Sequence, residues 1–220
     1  MDRGRRRPYR CEATTVEGFI QQVAVSYLAR GYWFYVAGQV PAGKDSRAVD
    51  RKLIGRYGIH VSQWERTRRK QAGFSNLQYI RHGKFFLLLA THGQHRFFEE
   101  EAGQIRDARR VSIKYAGYSL SFRNGRACVR IERGEYKRLK AMLLELACRR
   151  SAPTLEAEFR RIRFVPYAPV RQQLLQVWRA VNRARKVAGY AHVPVECVPW
   201  KRPIVRPFEE GEGSDVGKAA

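Results

Sequence analysis

Acidic residues are scarce in this chain: 20 Asp and Glu stand against 43 Lys and Arg, a formal net charge of +23 on 220 residues. Aspartate occurs only at Asp2, Asp45, Asp50, Asp107 and Asp215, too scattered to give the converging carboxylates that two-metal phosphoryl transfer requires. Cysteine is limited to Cys11, Cys128, Cys148 and Cys197, with no pair at the close spacing of a zinc knuckle or redox motif. They read as reduced thiols in a cytoplasmic protein. Long apolar runs are missing, because the longest, Phe85 to Ala90, is far short of the roughly 20 residues of a membrane-spanning helix. No membrane partner is expected. Glycine-rich phosphate loops of the Walker or dinucleotide type are also absent, and no cofactor or bound metal is expected.

What the chain has in excess is arginine, 33 of the 43 cations. A surplus of one sign opposes compaction by self-repulsion, and a polyanionic partner relieves it. The planar guanidinium fork suits bidentate contact with phosphate and with guanine edges, so nucleic acid is the expected partner. At 44% hydrophobic and 12% aromatic residues, the chain is too apolar for a disordered basic tail and should fold.

The expected organisation has four parts. Residues 1–15, with five arginines up to Arg10, form a disordered basic arm, and the acid- and glycine-rich stretch 209–220 a disordered tail. Between them lie an N-terminal part, 16–104, and a second part, 105–208. In the first, periodicity and turn residues predict a helix from Val16 to Ala29, a strand from Tyr32 to Val40 and a helix from Ser46 to Tyr57. A helix from Ser62 to Ala72 follows, opened by the capping-box spacing of Ser62 and Glu65, and then strands Leu77 to His82 and Lys84 to Thr91. This order over residues 16–91 resembles a winged helix-turn-helix domain. The resemblance implies that the Ser62 helix enters the major groove, offering Gln63, Arg66, Arg69 and Lys70. The alternative is a single α+β sheet with the Ser62 helix as a solvated connector.

The second part carries a clear hairpin at Arg123-Asn124-Gly125-Arg126, where Asn-Gly signals a type I′ turn. That register sets Tyr118, Leu120, Val129 and Ile131 on one face and brings Arg123 opposite Arg126, with Arg130 nearby. Like charges across a turn suit an anion held between them. A helix from Glu135 to Arg149, a short one from Thr154 to about Ile162, and a long one from Pro169 to Ala188 follow, and His192 to Arg206 reads as an edge strand or strap. The long helix has one apolar stripe, with Arg171, Arg179, Arg183 and Lys186 opposite, and no acid to support them through i,i+4 pairs. The fold class is thus α+β, with a β-hairpin and a long basic amphipathic helix in its second half.

Chemistry is thinly signalled. His92, His95 and Glu99 are the densest set of potential metal ligands, but residues three apart in a strand face opposite ways. Tyr118 is a candidate nucleophile for strand nicking, although the chain lacks the paired histidines, separated by one hydrophobic residue, that such nickases use. The expected function is therefore nucleic-acid binding, favouring double-stranded DNA, in a plasmid or other mobile element as initiator, accessory or regulator. A metal- or tyrosine-dependent nuclease and an RNA-binding component of a ribonucleoprotein are the alternatives.

Overall fold

Runs of helices and runs of strands follow one another along the chain in a computed structural model that describes residues 9–203 and 205–209. The protein is of the α+β class. Its described residues divide into two compact units, the first comprising 9–111, 124–126 and 205–209, the second 112–123 and 127–203. The first unit runs to Val111, and the short strand Arg106–Asp107 pairs back into its sheet.

In the first unit, helix α1 (Val16–Gln21) starts where the Thr15 hydroxyl accepts the Gly18 amide at 3.0 Å. It runs on through a π-helical turn, Gln22–Tyr27, and a 3-10 turn, Leu28–Arg30, until Gly31 at φ +91 ends it. Phe19, Ile20, Val23 and Leu28 along it are fully buried. Strands β1 (Phe34–Gln39), β2 (Leu77–His82), β3 (Phe85–Ala90) and β4 (Arg106–Asp107) form one sheet in the order β2-β3-β1-β4. The apolar run at 85–90 becomes an interior strand, antiparallel to β2 and to the whole of β1, from Phe34 opposite Ala90 to Gln39 opposite Phe85. Strand alternation sends Val36, Leu77, Tyr79, Leu88 and Ala90 to one face, where they pack against Tyr57, Ile59 and Phe97. Tyr57 and Ile59 follow helix α2 (Ser46–Arg56); Phe97 opens the one-turn helix α4 (Phe97–Glu100).

Helix α3 (Gln63–Gln71) has no buried residue. Half of its expected capping box forms. The Ser62 hydroxyl accepts the Glu65 amide at 3.1 Å, while the Glu65 carboxylate turns to Arg69 at 3.1 Å.

The expectation of a disordered arm over 1–15 is corrected for residues 9–15. The Arg81 amide donates to Cys11 O at 2.8 Å and the Ala13 amide to Arg81 O at 2.7 Å, so this segment covers the outer edge of β2. Below it, Arg81 is 2% exposed and Asp50 5%. The guanidinium donates to both oxygens of Asp50, which also accepts from the Tyr79 hydroxyl at 2.6 Å. A buried ion pair holds only when its remaining hydrogen bonds are satisfied; Gly83 O and Glu12 complete the set here. The arm residues Arg3, Arg5, Arg6 and Arg7, and the tail from 210 on, lie outside the described residues.

A second, three-stranded sheet is made of β5 (Ile113–Tyr115), β6 (Tyr118–Arg123) and β7 (Arg126–Ile131), in that order, and apart from Arg126 it belongs to the second unit. Asn124 and Gly125 take φ of +50 and +72, the left-handed pair that a type I′ turn demands. The predicted apolar face, Tyr118, Leu120, Val129 and Ile131, is buried. Helix α5 (Arg133–Ala147) is capped by Glu132, whose carboxylate accepts the Gly134 amide at 2.6 Å. Helix α6 (Ala152–Arg160) is capped by Ser151, and α7 (Ala168–Val187) begins with Pro169 in its first turn.

Beyond α7, where an edge strand or a strap was expected over 192–206, the described residues form a strap. Pro194, Pro199 and Pro203 offer no amide, and only a 3-10 turn, Val195–Cys197, is regular. Val193 is fixed instead by a side chain: its amide donates to Asn182 Oδ1 at 2.8 Å and its carbonyl accepts from Asn182 Nδ2 at 3.0 Å.

Candidate nucleic-acid interface

Helix α7 sorts its residues sharply. Val170, Leu174, Val177 and Val181 are fully buried, and Gln173 and Asn182 join them as polar residues. Gln173 reads the edge of β7, accepting the Ile131 amide at 2.8 Å and donating to Ile131 O at 3.1 Å. One of the five cations of the helix, Arg185, is structural. It is 2% exposed and donates to Ala147 O, Arg150 O and Ala191 O, tying down the end of α5. Asn182 is a core residue.

The outer stripe is Gln172, Gln176, Arg179, Arg183 and Lys186, all exposed, at three- and four-residue steps that keep them on one side over about 20 Å. Arg171 leaves this stripe to lie half-buried with its guanidinium 5.2 Å from the Trp200 ring. On the neighbouring helices of the same unit several arginines are paired with acids, although Arg133, Lys137 and Lys140 of α5 have no carboxylate partner among the described residues. On α5, Arg138 pairs with Glu135, and Arg149, just past its end, pairs with Glu145 at 2.9 Å. On α6, Arg160 pairs with Glu156, and Arg161 with Glu158 at 2.7 Å. Helix α7 contains no acid, and among the described residues Arg179, Arg183 and Lys186 have no carboxylate partner. Amides occupy its outer positions instead.

The hairpin exposes Arg123, Arg126 and Arg130 as expected. The cations of α3 are divided. Gln63 and Lys70 are exposed. Arg66 is turned back onto the link before the helix, donating to Val61 O and Ile59 O at 3.3 Å and to the Tyr32 hydroxyl at 3.5 Å. Arg69 donates to Gly58 O at 3.3 Å and pairs with Glu65. Both therefore help to hold α3 against the link that precedes it. Arg68, passed over in the sequence, is exposed and stacks at 5.2 Å on Trp64, itself 70% exposed.

The residues considered for chemistry do not converge. His92 is exposed beside Phe34, with ring centroids 6.4 Å apart. His95 accepts the Phe97 amide on Nδ1 at 3.1 Å and bonds the Tyr57 backbone. Burial first, then the charges of Arg69 and Arg96, lower its pKa below the usual imidazole value and keep it neutral. Glu99 is exposed on α4; its neighbours Glu100 and Glu101 are taken by Arg56 at 2.8 Å and by the Tyr57 hydroxyl at 2.5 Å. Among the described residues no three of His, Cys, Asp and Glu gather as a metal site. Tyr118 is 2% exposed, its hydroxyl accepts the Val165 amide at 2.8 Å, and its ring meets Phe164 edge-on; it is a core residue, not a nucleophile within reach of a strand.

No described helix is long and apolar enough to cross a membrane. Compared with models of known protein families and with curated proteins, the sequence matches none.

Proposed function

We propose that the protein binds nucleic acid, with double-stranded DNA the favoured ligand, through phosphate contacts along the outer face of α7. The observation that carries this reading is a contrast within one unit: Arg138 of α5 and Arg160 of α6 are paired with acids one turn away, while the outward cations of α7, Arg179, Arg183 and Lys186, follow one another on a helix that has no acid, with Gln172 and Gln176 before them. A helix forgoes about 0.2–0.5 kcal/mol for each i,i+4 pair it omits. An unneutralised row is what a phosphate backbone requires, with the glutamines as further hydrogen-bond donors. Arg123, Arg126 and Arg130 supply a second basic element on the hairpin.

The helix-turn-helix reading of the first unit is the finer part of the proposal. With Arg66 and Arg69 committed to backbone carbonyls, α3 has Gln63, Arg68 and Lys70 left for DNA, a set suited to phosphates more than to base edges.

Duplex affinity is expected to fall steeply with salt, and Arg179→Ala with Arg183→Ala to lower the slope of log K against log salt by about one to two. Fluorescence anisotropy with a labelled duplex measures both. A slope unchanged in the double variant removes α7 from the interface. Structured RNA of equal charge, used as competitor, decides between the two nucleic acids.

A further inference from the structure

The first unit has a cleft of about 620 Å³ lined by the ends of α2 and α3 and by residues 95–96, with Glu65, Arg68, Arg69, Phe74, His95 and Arg96 on its walls. Its backbone is stapled. The Phe74 amide donates to Arg69 O at 2.9 Å, the Ser75 amide to Gln94 O at 3.0 Å, and the Gln94 amide to Gly73 O at 3.0 Å. Gly93, at φ +135, lies so close that a Cβ there would come within 2.7 Å of Gly73 O and of Ser75 N; only glycine lets the two loops meet. On this rigid support Phe74 stands 49% exposed.

The electrostatics of the cleft are one-sided. Glu65 offsets Arg69 at 3.1 Å, and Glu100 lies 2.8 Å from Arg56 but 4.0 Å from Arg96. Arg68 stacks on Trp64 and has no carboxylate partner among the described residues. His95 adds no negative charge. A rigid aromatic face beside two under-neutralised guanidiniums fits a ligand that is flat at one end and anionic at the other.

We infer that this cleft takes an unpaired nucleotide of a single strand, its base stacked on Phe74 and its phosphate held by Arg68 and Arg96. Bases inside a duplex have their faces covered by their neighbours; only a single strand, an overhang or a loop presents a free face. The volume lies in the range of small-ligand pockets. The inference rests on the nucleic-acid reading but uses residues separate from α7.

The test measures anisotropy of a labelled dT ten-mer, an rU ten-mer, an abasic ten-mer and a blunt duplex. Phe74→Ala is expected to weaken the single strand about tenfold and leave the duplex within about twofold, while Phe74→Tyr, which keeps the ring, restores binding. The abasic strand, which keeps the phosphates, is expected to bind about tenfold more weakly than dT. The two sugar types separate DNA from RNA as the source of the strand. Equal binding of abasic and dT strands, or a single-strand affinity unmoved by Phe74→Ala, overturns the inference while leaving the α7 proposal standing. Failure of the wild type to bind either duplex or strand overturns both. Circular dichroism and a thermal melt of each variant establish that it folds, since Phe74 is half exposed and Phe74→Tyr reports on the ring alone.

Discussion

His95 shows how a single side chain can be fully employed and still be chemically silent. Both its nitrogens serve the backbone, and its pKa is lowered, as is that of His82, where burial is again the main cause. Each binds its proton less readily in the folded protein than in the unfolded chain, whose imidazoles titrate near 6.5. Between those values the unfolded state takes up more protons, so stability falls as pH drops through about 6.5 and levels off below the folded pKa values. Urea midpoints are expected to be lower at pH 5.5 than at pH 7.5, with the difference reduced in His95→Gln. Equal midpoints in wild type and variant at both pH values would remove His95 as a cause. Cys11 is silent in a different way. Burial, then the nearby Asp50 carboxylate, push its thiol up to about 12, so it stays protonated and unreactive. Neither property was legible in the sequence, where a histidine four residues before Glu99 looks the same whether it faces a metal or a carbonyl. The fates of Arg66 and Arg69 were equally hidden, because the carbonyls they bond come from the link at 58–61.

At the scale of elements the sequence was far more readable, since periodicity and turn chemistry report on local geometry. Asn124-Gly125 announced its hairpin, Gly31 and Gly73 their helix ends, and the apolar run at 85–90 an interior strand. The turn at Ala116-Gly117, which joins β5 to β6 with φ of +46 and +78, went unread because alanine seldom adopts that conformation. Of the two readings of the segment beyond α7, edge strand or strap, the strap is the one present, and its dependence on Asn182 was not visible in the sequence. Gln173 is another such side chain, completing the edge of β7 in place of a further strand. Gln173→Ala leaves the Ile131 amide and carbonyl unpaired in the interior, and is expected to destabilise by about 2 kcal/mol, measured by urea unfolding. A change below about 0.5 kcal/mol would mean that water replaces the amide.

For the molecule as a whole, the charge of +23 sets a simple expectation. Self-repulsion of a strongly basic chain weakens with ionic strength, so the thermal midpoint is expected to rise between about 20 mM and about 300 mM sodium chloride. A duplex that binds only the folded state adds to this by mass action, about 2.7 kcal/mol at 100 times its Kd. The two effects oppose each other in a titration, because salt that stabilises the free protein also releases the duplex. The duplex-induced gain in midpoint is therefore expected to shrink as the salt-induced gain grows. A duplex-induced gain independent of salt would show that phosphate neutralisation is not the source of binding.

The glutamines of the α7 stripe have a consequence for how such a protein can drift. Gln176 stands three residues before Arg179, and its Oε1 already accepts from the Tyr136 hydroxyl at 3.2 Å, a contact that a glutamate would keep. Gln176→Glu keeps the side chain's volume and adds the intrahelical support that α6 already has. A gain in fold stability and a loss of affinity for a polyanion would thus arrive in the same substitution. Stability alone would favour the acid at this position, and affinity for a polyanion would favour the amide.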